Sequence, residues 1–265
     1  GVNRFSGNSE EFNMHNKRVL VTGASKGLGA VAARAFAEQG ARVALLARSQ
    51  DKLEAVRQSC EYPEKHLCVP VDFLDMKQIP TAVQEAKKFL GGFDIVLHSA
   101  GGGLGLKDDL LTHEAFSKLF TLNLGAAAEI NRLIAPEMKE RRSGNLVHVG
   151  SIASGEAVGS VGYNTVKAAL AAYVRSLGRE LSRFNVIATG ILPGGFISPG
   201  NVMARLQEAS PEAYQRFIEE RLPRKIMGKT EELIPMILLL SSEAASMMGG
   251  CLVPIDAGEG RAYNL

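Results

Sequence analysis

Three side chains between Gly150 and Leu170 have the types and spacing needed to move a proton to or from an oxygen atom. Tyr163 and Lys167 are four residues apart, so on a helix they would share one face. A free phenol titrates near pH ~10, and a neighbouring ammonium favours the phenolate, which predicts a lowered pKa for Tyr163. Ser151, upstream of the tyrosine, could donate a hydrogen bond to the same substrate oxygen. By itself, this pattern also fits a tyrosine beside a solvated lysine.

A glycine-rich loop near the start of the chain could bind the cofactor that such a pair needs. Residues 19–21 have the apolar character of a buried strand, and the alanine-rich stretch at 30–40 has helical periodicity ending at Gly40. Between them lies TGASKGLG, residues 22–29. Its glycines allow a tight turn and a close approach to a phosphate, and a helix that begins here directs its amides toward a pyrophosphate. The glycines concerned are Gly23, Gly27 and Gly29.

The end of the second expected strand bears on the choice between two nicotinamide cofactors. In an NAD site, an acidic residue near this point binds the 2′-hydroxyl of the ribose. Here Arg42–Ala47 is followed by Arg48, and no acidic residue occurs before Asp51. Arg48, assisted by Lys26, could bind a 2′-phosphate, which favours NADP(H) over NAD(H). Both cations would also suit an ordinary protein surface.

Strand and helix patterns alternate along the chain without a change in composition or an internal repeat. Further strands are expected at residues 67–71, 94–97, 145–149, 185–192 and 252–255. This alternation predicts an α/β fold, a Rossmann-like doubly wound parallel sheet of about seven strands with helices on both faces, in a single domain. Ligands bind at the carboxyl ends of such strands. The residues expected there are Thr22, Arg48, Asp72, Ala100, Ser151 and Pro193.

The expected catalytic domain runs from residue 16 to residue 265, after a flexible arm at residues 1–15. The arm is polar and lacks an apolar run, so it does not resemble a secretory signal. Residues 198–223 mix apolar and charged side chains, and we expect a partly helical, mobile substrate lid there. Its basic residues could alternatively attract an acidic or phosphorylated substrate.

Composition argues against several other classes of function. The net charge is +2, from 30 basic and 28 acidic residues, and no long basic run occurs, so nucleic-acid binding is not expected. No apolar stretch is long enough to span a membrane, and the histidines lack metal-ligand spacing. Cys60, Cys68 and Cys251 have no paired spacing, which fits a reducing compartment, so we expect a cytoplasmic protein without a metal.

In this combination and order, the motifs resemble those of the short-chain dehydrogenase/reductase family, from about residue 17 to residue 258. The resemblance implies an NADP(H)-dependent oxidoreductase that reduces a ketone, or oxidises a secondary alcohol, by hydride transfer. In it, Tyr163 would act as acid or base, Lys167 would bind the nicotinamide ribose, and Ser151 would orient the carbonyl. Asn123, inside a helix expected over 113–142, would hold a water molecule that connects the lysine with solvent. The catalytic set is therefore Asn123, Ser151, Tyr163 and Lys167.

The same resemblance implies further contacts along the carboxyl edge of the sheet. In the glycine loop, the cofactor would contact Ser25, Lys26 and Leu28 beside the glycines. Elsewhere it would contact Arg48, Asp72, Phe73, Ser99, Ala100, Gly101, Tyr163, Lys167, Pro193, Gly194, Phe196 and Ser198. The substrate would contact Ser151, Glu156, Tyr163 and Gly195.

This sequence departs from the family pattern at a few positions. His98 and Ser99 replace two asparagines that are common after the fourth strand, and Thr189 replaces another before the Pro-Gly pair. We expect His98 to be a satisfied interior residue, not a catalyst. These replacements affect local architecture and leave the proton-transfer residues in place.

Two alternatives to the leading hypothesis stay open on the sequence alone. One is an NAD-dependent alcohol or sugar dehydrogenase, which only Arg48 and Lys26 oppose. The other is a non-catalytic scaffold that keeps the fold and binds the cofactor. Relatives of that kind tend to lose the tyrosine or the lysine, whereas Tyr163 and Lys167 are both present here.

The expected partners are a small carbonyl or alcohol substrate, with an acidic or carrier-linked compound as one version, and further copies of the chain. The resemblance implies a homodimer or homotetramer formed through the helices expected at 113–142 and 163–181. Small side chains would permit close packing there: Ala126, Ala127, Ala128, Ala168, Ala169, Ala171 and Ala172.

Overall fold

A parallel sheet forms the centre of the protein in the computed structural model, which describes residue 12 and residues 14–263. Its strands are β1 (Arg18–Thr22), β2 (Arg42–Ala47), β3 (Leu67–Pro70), β4 (Ile95–His98), β5 (Gly144–Val149), β6 (Val186–Pro193) and β9 (Leu252–Ile255). A separate pair consists of β7 (Phe196–Ile197) and β8 (Gly228–Lys229). The seven-stranded sheet has the order β3-β2-β1-β4-β5-β6-β9, and every neighbouring pair in it is parallel.

Helices cover both faces of this sheet. In chain order they are α1 (Gly27–Glu38), α2 (Gln50–Ser59), α3 (Ile79–Leu90), α4 (His113–Phe120), α5 (Ala126–Arg141), α6 (Val161–Ser182), α7 (Val202–Ala209), α8 (Pro211–Arg221) and α9 (Ile234–Leu240). Because alternate strand residues point to opposite faces, Val21 packs in the core with α1 and α9, whereas Leu20 packs in the core with α3 and α5. The predicted α/β fold, a doubly wound Rossmann-like sheet in a single domain, is confirmed.

The helix expected over 113–142 differs most from its predicted form. It consists of α4 and α5 joined by a π-helical turn, Thr121–Gly125, which carries Asn123. Such a turn places one extra residue in the helix and is frequent at functional sites. Pro136 lies inside α5, and the helix continues through it.

The segment expected to form a lid is helical in part, as predicted. It contains α7 and α8, and each helix begins at a residue whose side chain accepts a hydrogen bond from the first turn. Tyr214, Ile218 and Leu222 form a small apolar cluster with Met227, beyond the end of α8. The apolar side of α8 therefore packs onto the β7–β8 region, while charged residues face outward.

Burial changes the expected subunit interface. Ala126 and Ala127 are only 3% and 8% exposed, so they pack within the chain's own interior and offer little surface to a partner. Ala168 and Ala172 on α6 are exposed. Their predicted packing against a partner subunit stays a prediction.

The predicted arm, residues 1–15, lies mostly outside the described residues. Within it, Met14 is buried and its amide donates a hydrogen bond to the carbonyl oxygen of Gln39 at 3.2 Å. In the part of the chain that the structure describes, no helix is both long and apolar enough to cross a membrane.

A buried polar network joins the middle of the sheet to α5 and α6. His98 and His148 are register partners on β4 and β5, and their rings stack with centroids 4.7 Å apart. His98 Nε2 donates to Asn131 Oδ1 at 2.7 Å, and Asn131 Nδ2 donates to His148 Nε2 and to the Tyr173 hydroxyl, each at 3.0 Å. His148 Nδ1 then donates to the carbonyl oxygen of Thr189 at 2.9 Å. Both imidazoles are therefore neutral, and His98 is the satisfied interior residue expected from the sequence.

This network predicts a loss of stability in mild acid. Burial holds the pKa of His98 well below its ordinary value and lowers that of His148 to about 4. Unfolding restores ordinary values near ~6.5, so below that pH the unfolded chain binds more protons and stability falls as the pH decreases. We expect the free energy of unfolding by urea to decrease from pH 7 to pH 5. The decrease approaches about 1.4 kcal/mol per pH unit for each histidine.

Two variants test the source of that slope. His148→Gln removes one of the buried imidazoles, so its slope should correspond to about one proton fewer than in the unmodified protein. His113→Gln, at an exposed position at the start of α4, should leave the slope unchanged. Equal slopes in all three proteins would contradict the assignment.

Candidate active site

The loop between β1 and α1 has the conformation that a phosphate-binding turn requires. Gly23 has a φ of +63°, a region that favours glycine, and a Cβ atom on Gly29 would collide with the carbonyl oxygen of Gly23. Lys26, the N-cap of α1, makes no side-chain capping hydrogen bond, and the first turn contains no acidic residue. The first amides of α1 are thus left for an external acceptor, and a pyrophosphate is a group that fits such a terminus.

Thr22 connects this loop to the next one along the edge of the sheet. Its hydroxyl oxygen accepts hydrogen bonds from the amides of Ser99 at 3.0 Å and Ala100 at 3.1 Å. A Cβ atom on Gly23 would lie 2.9 Å from the amide nitrogen of Ala100, so the two loops touch through their backbones. The sequence placed Thr22 at a strand end but contained no signal for this bond, which depends on β1 and β4 being neighbours.

Asn123 in the π-helical turn holds the far side of that second loop. Its Oδ1 accepts from the amide of Gly102 at 3.0 Å, and its Nδ2 donates to the carbonyl oxygens of Gly102 and Leu119, each at 2.9 Å. Gly101 leaves little room for a side chain, because a Cβ atom there would lie 3.0 Å from Asn123 Oδ1 and 3.2 Å from Lys167 Nζ. These contacts bring Asn123, Gly101 and Lys167 together.

Tyr163 and Lys167 lie on α6, as their spacing predicts. Lys167 is 4% exposed, and its Nζ donates to the carbonyl oxygen of Val149 at 3.3 Å. The same Nζ lies 5.6 Å from the centroid of the Tyr163 ring, over its face. Ser151 precedes a short 3₁₀ turn, and its Oγ accepts a hydrogen bond from the amide of Ala153 at 3.0 Å.

The pKa of Tyr163 is shifted in the direction opposite to that expected from the sequence. Burial raises it above the ordinary value of a phenol, and the neighbouring Ser151 hydroxyl only partly offsets the increase. Burial also lowers the pKa of Lys167 to about 8. The direction thus differs from the lowering that the sequence predicted, because burial of the phenol disfavours the charged phenolate.

The loop after β6 closes the site from the opposite side. The Gly194 amide donates to the carbonyl oxygen of Ile255 at 3.1 Å, which extends the pairing of β6 with β9 past Pro193. Ser198 is 2% exposed, and its Oγ has no hydrogen-bond partner among the described residues. A Cβ atom on Gly27 would lie 3.4 Å from that oxygen, so the unpaired hydroxyl faces the glycine loop. A buried hydroxyl without a partner is free to bind a ligand there.

The residues expected around an adenine differ in exposure and in their hydrogen bonds. Arg48 and Lys26 are exposed, and Arg48 has no hydrogen bond or ion pair within the described part of the chain. Asp72 Oδ1 already accepts the amide of Leu74 at 2.9 Å, and Phe73 is buried in the core with 5% of its surface exposed. These exposed or already bonded side chains contrast with the contacts that bring Asn123, Gly101 and Lys167 together.

The expected substrate contacts fall into two groups. Ser151 and Tyr163 lie together, whereas Glu156 lines a cavity of about 260 Å³ farther out. Four of the residues that line it are charged: Glu156, Arg221, Glu259 and Arg261, beside Val158. Glu259 was missed by the sequence analysis, although an acidic side chain next to Gly258 in a strand-end segment is a signal that could have found it.

These features suit a dinucleotide. The glycine loop, the uncapped helix terminus and the unpaired Ser198 hydroxyl face one another across the same edge. No group of three or more histidine, cysteine, aspartate or glutamate side chains within the described residues could hold a metal ion.

The chain is similar to known proteins over most of its length. The protein-family model described as "short chain dehydrogenase" matches residues 17–209. The chain is 26% identical to the 3-oxoacyl-(acyl-carrier-protein) reductase MabA of Mycobacterium avium, over 94% of this chain and 91% of that protein. It is 30% identical to the NAD-dependent glycerol dehydrogenase of Listeria innocua, over 96% and 98% of the two chains.

A solved structure is similar over the same length. The L-sorbose reductase of Gluconobacter frateurii, crystallised with NADPH and L-sorbose, superposes with a TM-score of 0.87 at 27% identity. The superposition covers 95% of this chain and 99% of the reductase. The fold and the order of its elements are thus shared with enzymes that act on keto and hydroxyl groups.

The packing of the glycine loop predicts the effect of adding one methyl group to it. Gly29→Ala places a Cβ atom against the backbone of Gly23, so α1 must shift away from β1. We expect a loss of NADPH binding and a destabilisation of about 1–3 kcal/mol, measured by fluorescence titration and thermal unfolding. Gly125→Ala is the control, because its Cβ atom would meet Phe120 at an ordinary 3.6 Å. Normal NADPH affinity in Gly29→Ala would contradict the proposed role of the loop.

Proposed function

Since the chain belongs to the short-chain dehydrogenase family, we propose that it uses NADP(H) to reduce a ketone to a secondary alcohol, or to catalyse the reverse reaction, with Tyr163 as the proton donor or acceptor. That it is an oxidoreductase of CH–OH or keto groups follows from its relatives. The observation that supports the finer proposal is the meeting of Tyr163, Lys167, Ser151 and Asn123 beside the glycine loop.

The protonation state of the site favours proton donation by Tyr163. Its raised pKa keeps the phenol protonated near neutral pH, which is the state needed to protonate an oxygen that has received a hydride. The nicotinamide, when bound, supplies that hydride. Ser151 donates to the same oxygen and holds it near the phenol.

Lys167 compensates the charge that appears when Tyr163 loses its proton. The ammonium is buried next to the phenol ring, where its field is weakly screened. With a pKa of about 8, Lys167 can also exchange a proton near physiological pH. Asn123 holds the Gly102 backbone beside it, and so fixes the position of the lysine relative to the loop.

The proposed preference for NADP(H) rests on two exposed cations, Arg48 and Lys26, and on the lack of an acidic residue between the end of β2 and Asp51. Arg48 is unpaired within the described residues and Lys26 is exposed at the start of α1, so both are able to approach a 2′-phosphate. The NADPH complex of L-sorbose reductase supports this choice. The NAD-dependent glycerol dehydrogenase supports NAD as the alternative. A non-catalytic scaffold is disfavoured because the proton-transfer residues are present and adjacent.

The outer cavity supports a polar substrate. Its lining by two acidic and two basic side chains suits hydroxyl or charged groups better than an alkyl chain, whose burial there would leave charges unpaired. L-sorbose in the related structure is a compound of this kind, whereas the relation to MabA keeps a carrier-linked 3-oxoacyl substrate as an alternative.

Two further features belong to the same proposal. We expect cytoplasmic location, because the three cysteines have no paired spacing and are free within the described residues, as suits a reducing compartment. We also expect a homodimer or homotetramer that uses the exposed face of α6 around Ala168 and Ala172.

Removal of one hydroxyl tests the proton-transfer role. Tyr163→Phe should lower turnover at least about 10³-fold, since it removes general acid–base catalysis, while NADPH affinity stays nearly unchanged. The assay is NADPH oxidation with a panel of hydroxylated ketones, keto acids and 3-oxoacyl thioesters. Tyr62→Phe, at a residue 60% exposed, is the control and should retain full activity. Turnover by Tyr163→Phe within tenfold of the unmodified protein would sink the assignment.

A charge reversal tests the cofactor preference. Arg48→Asp should weaken NADPH binding at least about tenfold and improve the relative binding of NADH, because a carboxylate repels a 2′-phosphate and accepts from a 2′-hydroxyl. Fluorescence titration with both cofactors measures the ratio. Lys88→Asp, which makes the same charge change at an exposed site on α3, should leave the ratio unchanged. An unchanged ratio in Arg48→Asp would favour NAD as the cofactor.

A further inference from the structure

The carboxylate of Glu259 lies where the C-terminal segment, the loop after β6 and the end of α8 meet. Glu259 is only 8% exposed. A glutamate is rarely buried unless its carboxylate is paired. Oε2 accepts a hydrogen bond from the amide of Gly195 at 2.6 Å. Oε1 accepts from Nη2 of Arg221, the last residue of α8, at 3.2 Å. The Glu259 side chain thus accepts hydrogen bonds both from the loop after β6, at Gly195, and from the lid, at Arg221.

Direct packing connects the same two segments. A Cβ atom on Gly195 would lie 2.9 Å from Cε1 of Phe217, so the ring covers the backbone of the loop. The guanidinium of Arg221 lies 5.4 Å from the centroid of that ring. On its other side, the carbonyl oxygen of Gly195 accepts from the amide of Gly228 at 3.2 Å. The peptide of Gly195 is therefore fixed at both ends, and one of these bonds comes from Glu259.

The charges around Glu259 indicate that this glutamate contributes little to the stability of the fold. Burial raises the pKa of Glu259, and the nearby carboxylates of Asp256 and Glu156 raise it further, against the Gly195 amide and Arg221. A buried ion pair adds little to stability compared with an apolar replacement of similar size. Geometry is what this carboxylate provides, because it accepts from two donors that belong to different segments.

We propose that Glu259 is a positioning residue that couples closure of α8 to the orientation of the Gly195 peptide beside the substrate. When Arg221 is bonded to Oε1, the lid is held against the loop; when the lid opens, Glu259 loses one of the donors that hold it on Gly195. The effect of this coupling on catalysis rests on the proposed function. The coupling itself rests on the two hydrogen bonds of Glu259, to Gly195 and to Arg221.

Hydrogen–deuterium exchange of the full-length protein tests the coupling without any need for activity. Glu259→Gln keeps an oxygen acceptor for Gly195 but removes the charge that binds Arg221, and Arg221→Gln removes the donor. Each variant should speed exchange of the amides at 211–221 roughly tenfold, the effect of losing one hydrogen bond to a charged group. The double variant should show no more than either single change, because both act on one interaction.

A neighbouring ion pair provides the matched control. Arg224 and Glu232 are bonded at 2.9 Å just beyond the lid, so Arg224→Gln removes an arginine–glutamate pair of the same type without touching Glu259. Its exchange at 211–221 should match that of the unmodified protein. Unchanged lid exchange in Arg221→Gln, or additive effects of the two single changes, would overturn the coupling.

Kinetics on an active substrate separate positioning from support of the fold. Glu259→Gln should raise KM for the carbonyl compound roughly tenfold and leave the NADPH dissociation constant unchanged, whereas Glu259→Ala, which also frees Gly195, should lower kcat as well. Equal losses in cofactor binding and KM would indicate a merely structural role and overturn the proposal. If the unmodified protein reduces no carbonyl compound, the proposed function fails, while the exchange result still decides whether Glu259 couples the segments.

Discussion

The hydroxyl of Thr22 joins the two strands at which the order of the sheet reverses. The chain builds the sheet outward from β1 through β2 to β3, returns to β4 on the other side, and continues to β9. At such a reversal the following loops leave in opposite directions and open a crevice, which is where doubly wound sheets bind ligands. Because Thr22 bonds the amides of Ser99 and Ala100, the crevice has a fixed width at its base. Asn123 and Lys167 are positioned against one wall of it, and the glycine loop forms the other.

Burial, more than proximity of charges, sets the protonation of the site. The sequence pattern alone suggests that an ammonium four residues away activates the phenol. In the structure, both groups have left water, so the neutral form of each is favoured: the pKa of Tyr163 is raised and that of Lys167 is lowered. The phenol is therefore protonated at neutral pH, and Lys167, with a pKa of about 8, is still mainly an ammonium there.

The sequence predicted the parts of the protein that depend on local pattern. Apolar runs located each strand of the main sheet, and Tyr163 and Lys167 share a helix as their spacing requires. What the sequence did not predict depends on contacts between distant segments. The π-helical turn carries Asn123, whose side chain bonds the distant Gly102, and the stacking of His98 on His148 follows from the register of β4 with β5. Burial of Ala126 was missed for the same reason, since the inner face of α5 is defined only by the strands beneath it.

The bonds that complete the substrate side of the site join residues far apart in the chain. Glu259 is 64 residues beyond Gly195, and β9 is the last strand to be added beside β6. During synthesis, the glycine loop and α6 leave the ribosome before Glu259 and β9, so the part of the crevice expected to bind the cofactor can form while the part expected to bind the substrate is still open. Parallel pairing of distant strands is also slow to form. We therefore expect the enzyme to acquire cofactor binding before substrate binding as it folds, and to lose them in the opposite order when it begins to unfold.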